Sequence, residues 1–538
     1  MEIEAFDEDE IIPKGYKTYE EYIDDLNNFL NENQILFTHN KYNDKKELEY
    51  VEKSVHSLIN KEYEMLNKHI LNYFNSIKEY MKKHPEESEI LYELLMDLST
   101  DDLPMIPGKN DKRKAELKEI FKIPKELEDF INLSRKLSPK DKSEECSIKD
   151  PTTNEWYEVR KKGKPNPPIS TSLMKQKKKY EIQLLGDIII KEANNKNIHT
   201  IIDIGSGTGY LTNYISINSN LRIIGIEGNE DNTNKMMLRV NKIEQKNKTI
   251  IYNKAESYTA FLTSDITPEG FKNICKLNGE EVMLTGLHPC GDLTPTLMKL
   301  FKNLEQIKSL IFVGCCYNKL TENPLFFKLN DNNVEIKKQS NLYGFPMSDY
   351  LLIKNKIKFH LGNSYISSNP HPLSKTREDW FYSYKMRSYR IALELFIHNY
   401  LPNFLEVHYI GQIRENYTKS FGDYLNRALI NIKRHAKDFN YNNKKYNNEL
   451  INWIENFSSK NDVIKAGNEF YLKLNPINEI IFESAIMIIL SARISQVLEG
   501  LIIADRVLFL KQFCTFVSAR RLFHPFISPR GIIIIAHK

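Results

Sequence analysis

The stretch that decides the fold is residues 201–216, "IIDIGSGTGYLTNYIS". A short apolar run leads into three glycines at alternate positions, Gly205, Gly207 and Gly209, and a helical pattern follows. Glycines in such a turn let the backbone bend tightly and approach a ligand without a Cβ in the way. The order of strand, glycine-rich turn and helix predicts the first crossover of a parallel α/β sheet, with a ligand at the turn.

Neighbouring residues indicate which ligand this is. A dinucleotide fingerprint needs a small residue where Tyr210 stands, and a P-loop needs a closing Gly-Lys-Ser/Thr that is absent. Asp203 disfavours a pyrophosphate but suits a cationic amino group, and S-adenosylmethionine carries an ammonium and a sulfonium. Glu227, at the end of the next predicted strand, can accept both ribose hydroxyls. The third predicted strand, "TIIYNKA", leads into "ESY", and we expect Ala255 and Glu256 beside the adenine ring.

The remaining chain predicts a sheet that is discontinuous in sequence. After residue 180, apolar runs of strand length alternate with helical segments, which is typical of a doubly wound, mostly parallel α/β sheet. "TFVSARRLFHP" and "GIIIIAHK" predict a closing hairpin. The expected divisions are a helical N-terminal region (1–150), a linker (151–169), the first part of the sheet domain (170–355), a helical insertion (356–509) and the final strands (510–538).

Composition restricts the class of protein. The chain has 538 residues, of which 41% are hydrophobic and 27% charged, as in folded globular proteins. A net charge of +4 is close to neutral for this size and says little about partners. Six scattered cysteines are too few for a disulfide framework, and the acidic N-terminus lacks the pattern of a signal peptide. The apolar run "AIMIILSA" is too short to span a bilayer. We expect an intracellular protein, cytoplasmic or nuclear, without a membrane partner.

A second stretch, residues 284–301 ("LTGLHPCGDLTPTLMKLF"), combines His288, Cys290 and Asp292 at the end of the fourth predicted strand. Ligands of such sheets lie at the carboxyl ends of the strands, so this loop should face the methyl group of the donor. The fifth strand ends in Cys315, Cys316 and Tyr317, and we expect these residues on the same rim.

Three interpretations of this rim compete. His288, Cys290, Cys315 and Cys316 are suitable zinc ligands, but the usual Cys-x-x-Cys spacing is missing. A cysteine nucleophile with His288 as its base is possible, yet methyl transfer needs no covalent intermediate. The third interpretation, which we favour, is a shaped rim without a metal, where His288 or Asp292 positions the acceptor or removes its proton. Cys315 and Tyr317 would then contact the acceptor.

Five segments together resemble the methyltransferase-like protein 25 family: "IIDIGSGTGYLT", "GLHPCGDLTPTLMKLF", "VGCCYNKLTE", "YGFPMSD" and "SPRGIIIIAHK". The family comprises probable S-adenosylmethionine-dependent methyltransferases, which implies a class I methyltransferase-like Rossmann fold from about Ser170 onward. The family segment Met-Ser-Pro-Lys-Lys-x-His-Glu is similar to "MKQKKKYE", in which Tyr180 replaces the histidine, and Pro289 stands where relatives often have threonine. A more distant likeness, through His-x-Cys-Gly and the Cys-Cys pair, is to transfer-RNA 2′-O-methyltransferases.

The nature of the acceptor is indicated only weakly. Lys177 and Lys178, in the basic run before the sheet, are expected to bind an acceptor such as RNA, although a solvated basic face gives the same pattern. No Asn/Asp-Pro-Pro-aromatic loop follows the fourth strand, which disfavours methylation of adenine N6. The sequence predicts methyl transfer to a macromolecule, RNA or protein. The alternatives are a non-catalytic binding or scaffold protein and a transfer-RNA ribose methyltransferase. The oligomeric state is not indicated.

Overall fold

The computed structural model describes residues 11–13, 15–33, 66–99, 111–139, 174, 176–246, 255–322, 343–354, 357, 359, 361, 377–401, 413, 418–438, 444–474, 479–525 and 527–538. Its centre is a seven-stranded sheet. The strands are β1 (Thr200–Ile204), β2 (Arg222–Glu227), β3 (Glu256–Thr259), β4 (Val282–Cys290), β5 (Ile307–Cys315), β6 (Phe516–Arg521) and β7 (Ile532–His537).

The strand order is β3-β2-β1-β4-β5-β7-β6. Strands β1 to β5 pair in parallel, and β7 lies antiparallel between β5 and β6. The direction of winding reverses between β1 and β4, and ligands of open α/β sheets bind at such a point, beyond the carboxyl ends of the strands. The predicted fold class, a doubly wound and mostly parallel sheet of the class I methyltransferase type, is confirmed.

Helices cover both faces of this sheet. Side chains along a strand alternate between its faces, so Ile202 and Ile204 enter one core and Ile201 the other. Both faces are therefore apolar, which is why the strands read as continuous apolar runs. The helices next to the sheet are α6 (Gln176–Asn195), α7 (Tyr210–Asn218), α8 (Glu230–Lys246), α9 (Pro268–Cys275) and α10 (Leu293–Asn303).

Further helices lie on both sides of this segment in sequence. Those before it are α1 (Tyr19–Glu32), α2 (Lys68–Lys83), α3 (Ser88–Met96), α4 (Asp111–Ile120) and α5 (Lys125–Leu137). Those after β5 are α11 (Asp349–Lys354), α12 (Arg377–Tyr400), α13 (Phe421–Asp438), α14 (Lys444–Lys460), α15 (Val463–Leu474) and α16 (Glu479–Lys511). The predicted linker at 151–169 lies outside the described residues, and the domain boundaries stay a prediction.

Helix α16 connects the N-terminal helices to the sheet within one continuous hydrophobic core. Its length and composition would also suit a membrane span, but its most apolar window is entirely buried inside the protein. Buried polar side chains fix it to its neighbours. Arg493 donates to the main-chain oxygen of Leu98 (2.8 Å), and Asp505 accepts from the amides of Met347 and Ser348 (2.8 Å each). The "YGFPMSD" segment is thereby anchored to this helix.

The third strand differs from the prediction. Residues 247–254, which include most of "TIIYNKA", lie outside the described residues, and β3 begins only at Glu256. Glu256 pairs in register with Ile224, whereas Thr259 pairs with Glu227 at the carboxyl end of β2. Ala255 and Glu256 thus lie at the amino end of the strand, away from the crevice. This register gives no support to the predicted contact of Ala255 and Glu256 with the adenine ring, which stays a prediction.

Candidate functional site

The glycine-rich turn leaves the carboxyl end of β1 and enters α7. Gly207 has φ 57°, and a Cβ built there would meet nothing within 4 Å, so the backbone borders open space. Gly209 has φ 74°, and its missing Cβ gives room to Met236 on α8. The amides of Gly205 and Ser206 donate to the main-chain oxygen of Ile226, which holds the turn against β2 (2.9 and 3.2 Å). The turn is therefore held against β2 and is open on the side of Gly207.

Two predicted carboxylates lie at the strand ends beside this turn. Glu227 accepts from the amide of Gly207 (Oε2, 2.8 Å) and from that of Asn229 (Oε1, 2.9 Å), so it spans the gap between β2 and the glycine turn. Asp203 is buried on β1 and accepts from the Thr212 hydroxyl (2.7 Å). Burial raises the pKa of Asp203 to about 6, against the opposing effects of Thr212 and Lys178. A buried carboxylate of this kind favours a cation that would replace its lost solvation.

Beside the two carboxylates, the carboxyl end of β3 presents an aromatic residue that the sequence prediction did not include. At the carboxyl end of β3, the amide of Ala260 donates to the main-chain oxygen of Glu227 (2.9 Å), and Phe261 follows. The Phe261 side chain is 78% exposed and lies against Gly228, where a Cβ would approach its ring to 2.9 Å. An exposed aromatic ring at the end of β2 can stack on a purine. The only sequence signal for it was an isolated phenylalanine after the strand.

The rim at the end of β4 is built around His288. The strand pairing of β4 with β5 shifts between Leu287 and Cys290, and His288 takes a left-handed backbone conformation (φ 63°) in this bulge. Its Nε2 lies 3.1 Å from Oε1 of Glu181, a buried carboxylate on α6 that also accepts from the Ser528 hydroxyl (2.7 Å). Burial alone would raise the pKa of Glu181, but the contacts with His288 and Ser528 outweigh it and lower the pKa. Glu181 therefore fixes the orientation of the imidazole.

The ends of β4 and β5 also bring three thiols together. Cys290 and Cys315 are paired residues of the two strands, and Cys316 turns back in a left-handed conformation (φ 54°). The Sγ atoms lie 3.2 Å (Cys290–Cys315), 3.2 Å (Cys290–Cys316) and 3.5 Å (Cys315–Cys316) apart, and we call them the thiol cluster. Hydrogen bonds with Cys290 and Cys315 lower the pKa of Cys316, and the mutual contacts raise that of Cys315. Cys290 is exposed, Cys316 partly exposed and Cys315 buried.

The thiols do not pair with the imidazole of His288. Cys290 and Cys315 donate to the main-chain oxygen of His288 instead (3.4 and 3.6 Å). The ring uses Nε2 toward Glu181, and Nδ1 is buried without a hydrogen-bond partner in the described part of the chain. These contacts give no support to a cysteine nucleophile activated by His288.

Two other predicted rim residues have structural roles. The Tyr317 ring is fully buried, and its hydroxyl donates to Glu499 on α16 (3.2 Å), so the prediction that it contacts the acceptor is corrected. Asp292 precedes α10 and accepts from the amide of Thr321 (2.8 Å), which joins the two rim loops. This contact anchors the loop, and the predicted role of Asp292 in positioning the acceptor or removing its proton stays a prediction. The partners of both residues come from distant segments that the local sequence does not show.

The two predicted lysines begin α6, the helix that carries Glu181. Lys177 is 54% exposed, and its Nζ lies 3.8 Å from Oε1 of Glu181. The positive charge of Lys178 acts on Asp203 at the donor side. The lysines therefore lie between the donor pocket and the His288 rim, where the prediction of acceptor binding remains open to test.

Comparisons with known proteins agree with this geometry. Residues 177–323 match the family described as "Methyltransferase domain". A mouse protein named probable methyltransferase-like protein 25 is 25% identical over 57% of this chain and 45% of its own length. The human protein of the same name is 21% identical over 69% of this chain and 75% of its own. The family resemblance found in the sequence is confirmed, although the match spans less than half of the mouse relative.

Solved structures give a weaker comparison. A magnesium protoporphyrin IX methyltransferase from Synechocystis is 13% identical, over 30% of this chain and 64% of that chain. The TM-score is 0.20. At this level of similarity the fold rests on the strand order and not on the neighbour.

Proposed function

We propose that this chain is an S-adenosylmethionine-dependent methyltransferase. One observation carries the proposal: Glu227, at the carboxyl end of β2, accepts from the amide of Gly207 in the open turn that follows β1, and the strand order reverses on the other side of β1. Glu227 would accept hydrogen bonds from the ribose hydroxyls of the donor. The amino group of the donor would approach Asp203, and its purine would lie beside Phe261. The methyltransferase-domain match over residues 177–323 supports the same assignment. Bound S-adenosylmethionine supplies an activated methyl group for in-line transfer.

The acceptor side is the rim at the ends of β4 and β5. His288 is the group best suited to take a proton from the acceptor, because the buried Glu181 holds its ring as the third group of a triad holds a catalytic histidine. Access to its second nitrogen would require a small ring movement, since Nδ1 is buried. Alignment of the acceptor with the methyl group would contribute the rest of the acceleration.

The acceptor that the surface favours is anionic and macromolecular. Lys177, Lys178 and Lys179 form a positive start to α6 next to both the donor pocket and His288. Contacts of lysines with phosphates would give salt-dependent binding, which favours RNA over protein as the acceptor. A ribose hydroxyl of RNA is the methylated group that fits the absence of a base-stacking Asn/Asp-Pro-Pro-aromatic loop. An intracellular location, as expected from the sequence, belongs to this proposal.

Calorimetric titration of the purified chain with S-adenosylmethionine and S-adenosylhomocysteine tests the donor site. Glu227→Ala should weaken binding of both about 10-fold or more, because a hydrogen bond to a charged group is worth about 1.5–3 kcal/mol. Glu281→Ala, a 61% exposed carboxylate just before β4, is the matched control and should bind as the native chain does. Saturable binding with the Glu227 effect supports the proposal, and equal affinity of all three proteins contradicts it.

Transfer itself is tested with donor carrying a labelled methyl group and separate RNA and protein fractions. Incorporation into RNA that is lost in Glu227→Ala supports the enzyme and its acceptor class. Incorporation into protein alone keeps the enzyme and corrects the acceptor. Donor binding without incorporation into either fraction would favour a non-catalytic binding protein, the alternative that the sequence left open.

A further inference from the structure

The thiol cluster has no role in the proposed methyl transfer. Its three sulfurs come from two strand ends, and Cys290 and Cys316 are 26 residues apart in sequence. We propose that Cys290, Cys315 and Cys316 bind a thiophilic metal ion, with Zn²⁺ as the best-matched ion, through three thiolates. The sequence interpretation that favoured a rim without a metal would then be replaced.

The spacing of the sulfurs fits one central ion. Thiolates bound to Zn²⁺ at about 2.3 Å in a tetrahedral arrangement lie about 3.8 Å from one another. The observed separations of 3.2, 3.2 and 3.5 Å need to open by only a few tenths of an ångström. Among the described residues, one group of three histidine, cysteine or acidic side chains has all its ligand atoms within 4.8 Å of one another, and it consists of these three cysteines. Small side-chain rotations would therefore complete the three-sulfur site.

The backbone holds the sulfurs in this arrangement. Cys290 and Cys315 are fixed opposite each other by the register of β4 and β5. Cys316 (φ 54°) and His288 (φ 63°) both take the left-handed conformation that residues with a Cβ avoid. Strained residues of this kind collect at functional sites, where the surrounding structure enforces them. The convergence of the thiols is thus imposed by the fold and does not depend on the rotamers alone.

Access and charge also suit an ion. Cys290 is exposed and Cys316 partly exposed, so an ion can enter from solvent. Three thiolates with Zn²⁺ leave a net charge of −1, and the positive charge of Lys319 acts on Cys316. Three protein ligands leave the fourth position open, as in catalytic zinc sites and unlike the closed four-ligand structural sites. Water or a polar group of the acceptor could occupy that position.

A disulfide is the competing chemistry. It would join two of the three sulfurs at about 2.05 Å and would leave the third as a free thiol. The cluster shows no such preference, because Cys290 lies 3.2 Å from both of the other sulfurs. One ion bound by three sulfurs requires nearly equal distances between the sulfurs. A metal ion is therefore the interpretation that accounts for all three cysteines.

The test measures metal content and needs no methyl acceptor. The full chain is kept reduced, stripped with a chelator, reloaded with Zn²⁺ and desalted. We expect one equivalent of zinc per chain, an affinity that rises with pH because thiol protons are released, and thiolate-to-metal charge-transfer absorption when Co²⁺ replaces Zn²⁺. Cys290→Ser and Cys316→Ser should each weaken zinc binding more than about 100-fold, since loss of an outer partner alone costs about 10- to 100-fold.

Cys514→Ser is the matched control, because Cys514 is a free and partly buried thiol outside the cluster. It should keep one equivalent of zinc. A measurement on the native chain protects the test if the variants fail to fold: zinc should shield Cys290 and Cys316 from alkylation and leave the reactivity of Cys514 unchanged. Absence of zinc in the reloaded native chain, or equal zinc in the native chain and both cluster variants, would overturn the proposal. So would air oxidation that links Cys290 to Cys315 or Cys316 when zinc is present.

This inference stands apart from the proposed function. A chain that binds zinc but no donor would contradict the proposed methyltransferase function and support the metal site. A chain that binds the donor but no zinc would support the function and contradict the metal site.

Discussion

Two regions of the same sheet are built in different ways: the donor edge, which comprises Asp203, the glycine turn and Glu227, and the acceptor rim, which comprises the ends of β4 and β5. At the donor edge, the glycine turn and Asp203 are contiguous in sequence, and Glu227 follows about one crossover later. At the rim, His288 is held by Glu181, 107 residues earlier, and the same carboxylate accepts from Ser528, which lies 347 residues after Glu181 in the chain. A site encoded in one local stretch can be recognised by its pattern. A site assembled by strand register and distant loops needs the fold.

The largest effect should come from breaking the rim while leaving the donor edge intact. His288→Ala should lower the rate of methyl transfer about 100-fold or more, because general base catalysis contributes about 10²- to 10⁴-fold. Donor affinity should stay at the native value, since no described contact joins His288 to the glycine turn or to Glu227. Single-turnover rates with a saturating donor, together with titration calorimetry, measure the two effects separately.

Glu181→Gln distinguishes proton removal from mere packing at the rim. The amide keeps the size of the carboxylate and its contact with Ser528, but it loses the negative charge that stabilises a protonated imidazole. The rate should fall, because the amide no longer stabilises the imidazolium that forms when His288 takes the proton of the acceptor, while donor affinity should stay at the native value. Equal rates of methyl transfer in the native chain and in Glu181→Gln would remove His288 from the proton transfer.

The second effect concerns the donor edge in the absence of its ligand. Burial raises the pKa of Asp203 from 3.8 to about 6, so the folded chain binds a proton that the unfolded chain has already released between these pH values. Stability from this group is therefore lost as pH rises through that window, by about 3 kcal/mol, since one pKa unit equals about 1.4 kcal/mol. Asp203→Asn should raise the melting temperature of the ligand-free protein at pH 8, and the gain should vanish near pH 4.

The exposed Asp231 gives the control, because Asp231→Asn changes the same charge without burial and should leave the melting temperature unchanged. Asp203→Asn should also weaken donor binding at pH 8, where the native carboxylate would be charged. A variant that is less stable than the native chain at pH 8 would show that the Asp203 carboxylate is stabilised by the protein without a ligand. The predicted cost of burying this charge would then be wrong.

Sequence reasoning reached the donor edge better than the rim for physical reasons. Apolar runs and the glycine turn predicted β1, β2 and their crossover. Strands that are buried on both faces need continuous apolar residues, and positions with positive φ favour glycine, so both features are visible in the sequence. The start of β3 at Glu256 could not be seen, since a strand end is set by pairing with β2 and not by polarity. Tyr317 and Asp292 were assigned to the acceptor because nothing local shows that Glu499 and Thr321 are their partners.

The smallest predicted effect concerns a carboxylate at the amino end of β3. Glu256 accepts from Arg222 at the amino ends of β2 and β3 (2.8 Å) and from the Tyr258 hydroxyl (2.6 Å). This ion pair is partly exposed, and such pairs contribute about 1 kcal/mol or less. Glu256→Gln should therefore lower stability only slightly and leave the affinity for S-adenosylmethionine unchanged, as chemical denaturation and calorimetry would measure.

The paired variant Glu227→Gln completes this comparison, because both changes replace one carboxylate with its amide on neighbouring strands of the sheet. Glu227→Gln should weaken donor binding, since an amide can accept from one ribose hydroxyl but presents a donor to the other. If Glu256→Gln weakened donor binding as much, the adenine ring would have to reach the start of β3, and the placement of the purine beside Phe261 would be wrong. Unequal effects of two isosteric changes at opposite ends of neighbouring strands would locate the ligand at the carboxyl edge without any structure of the complex.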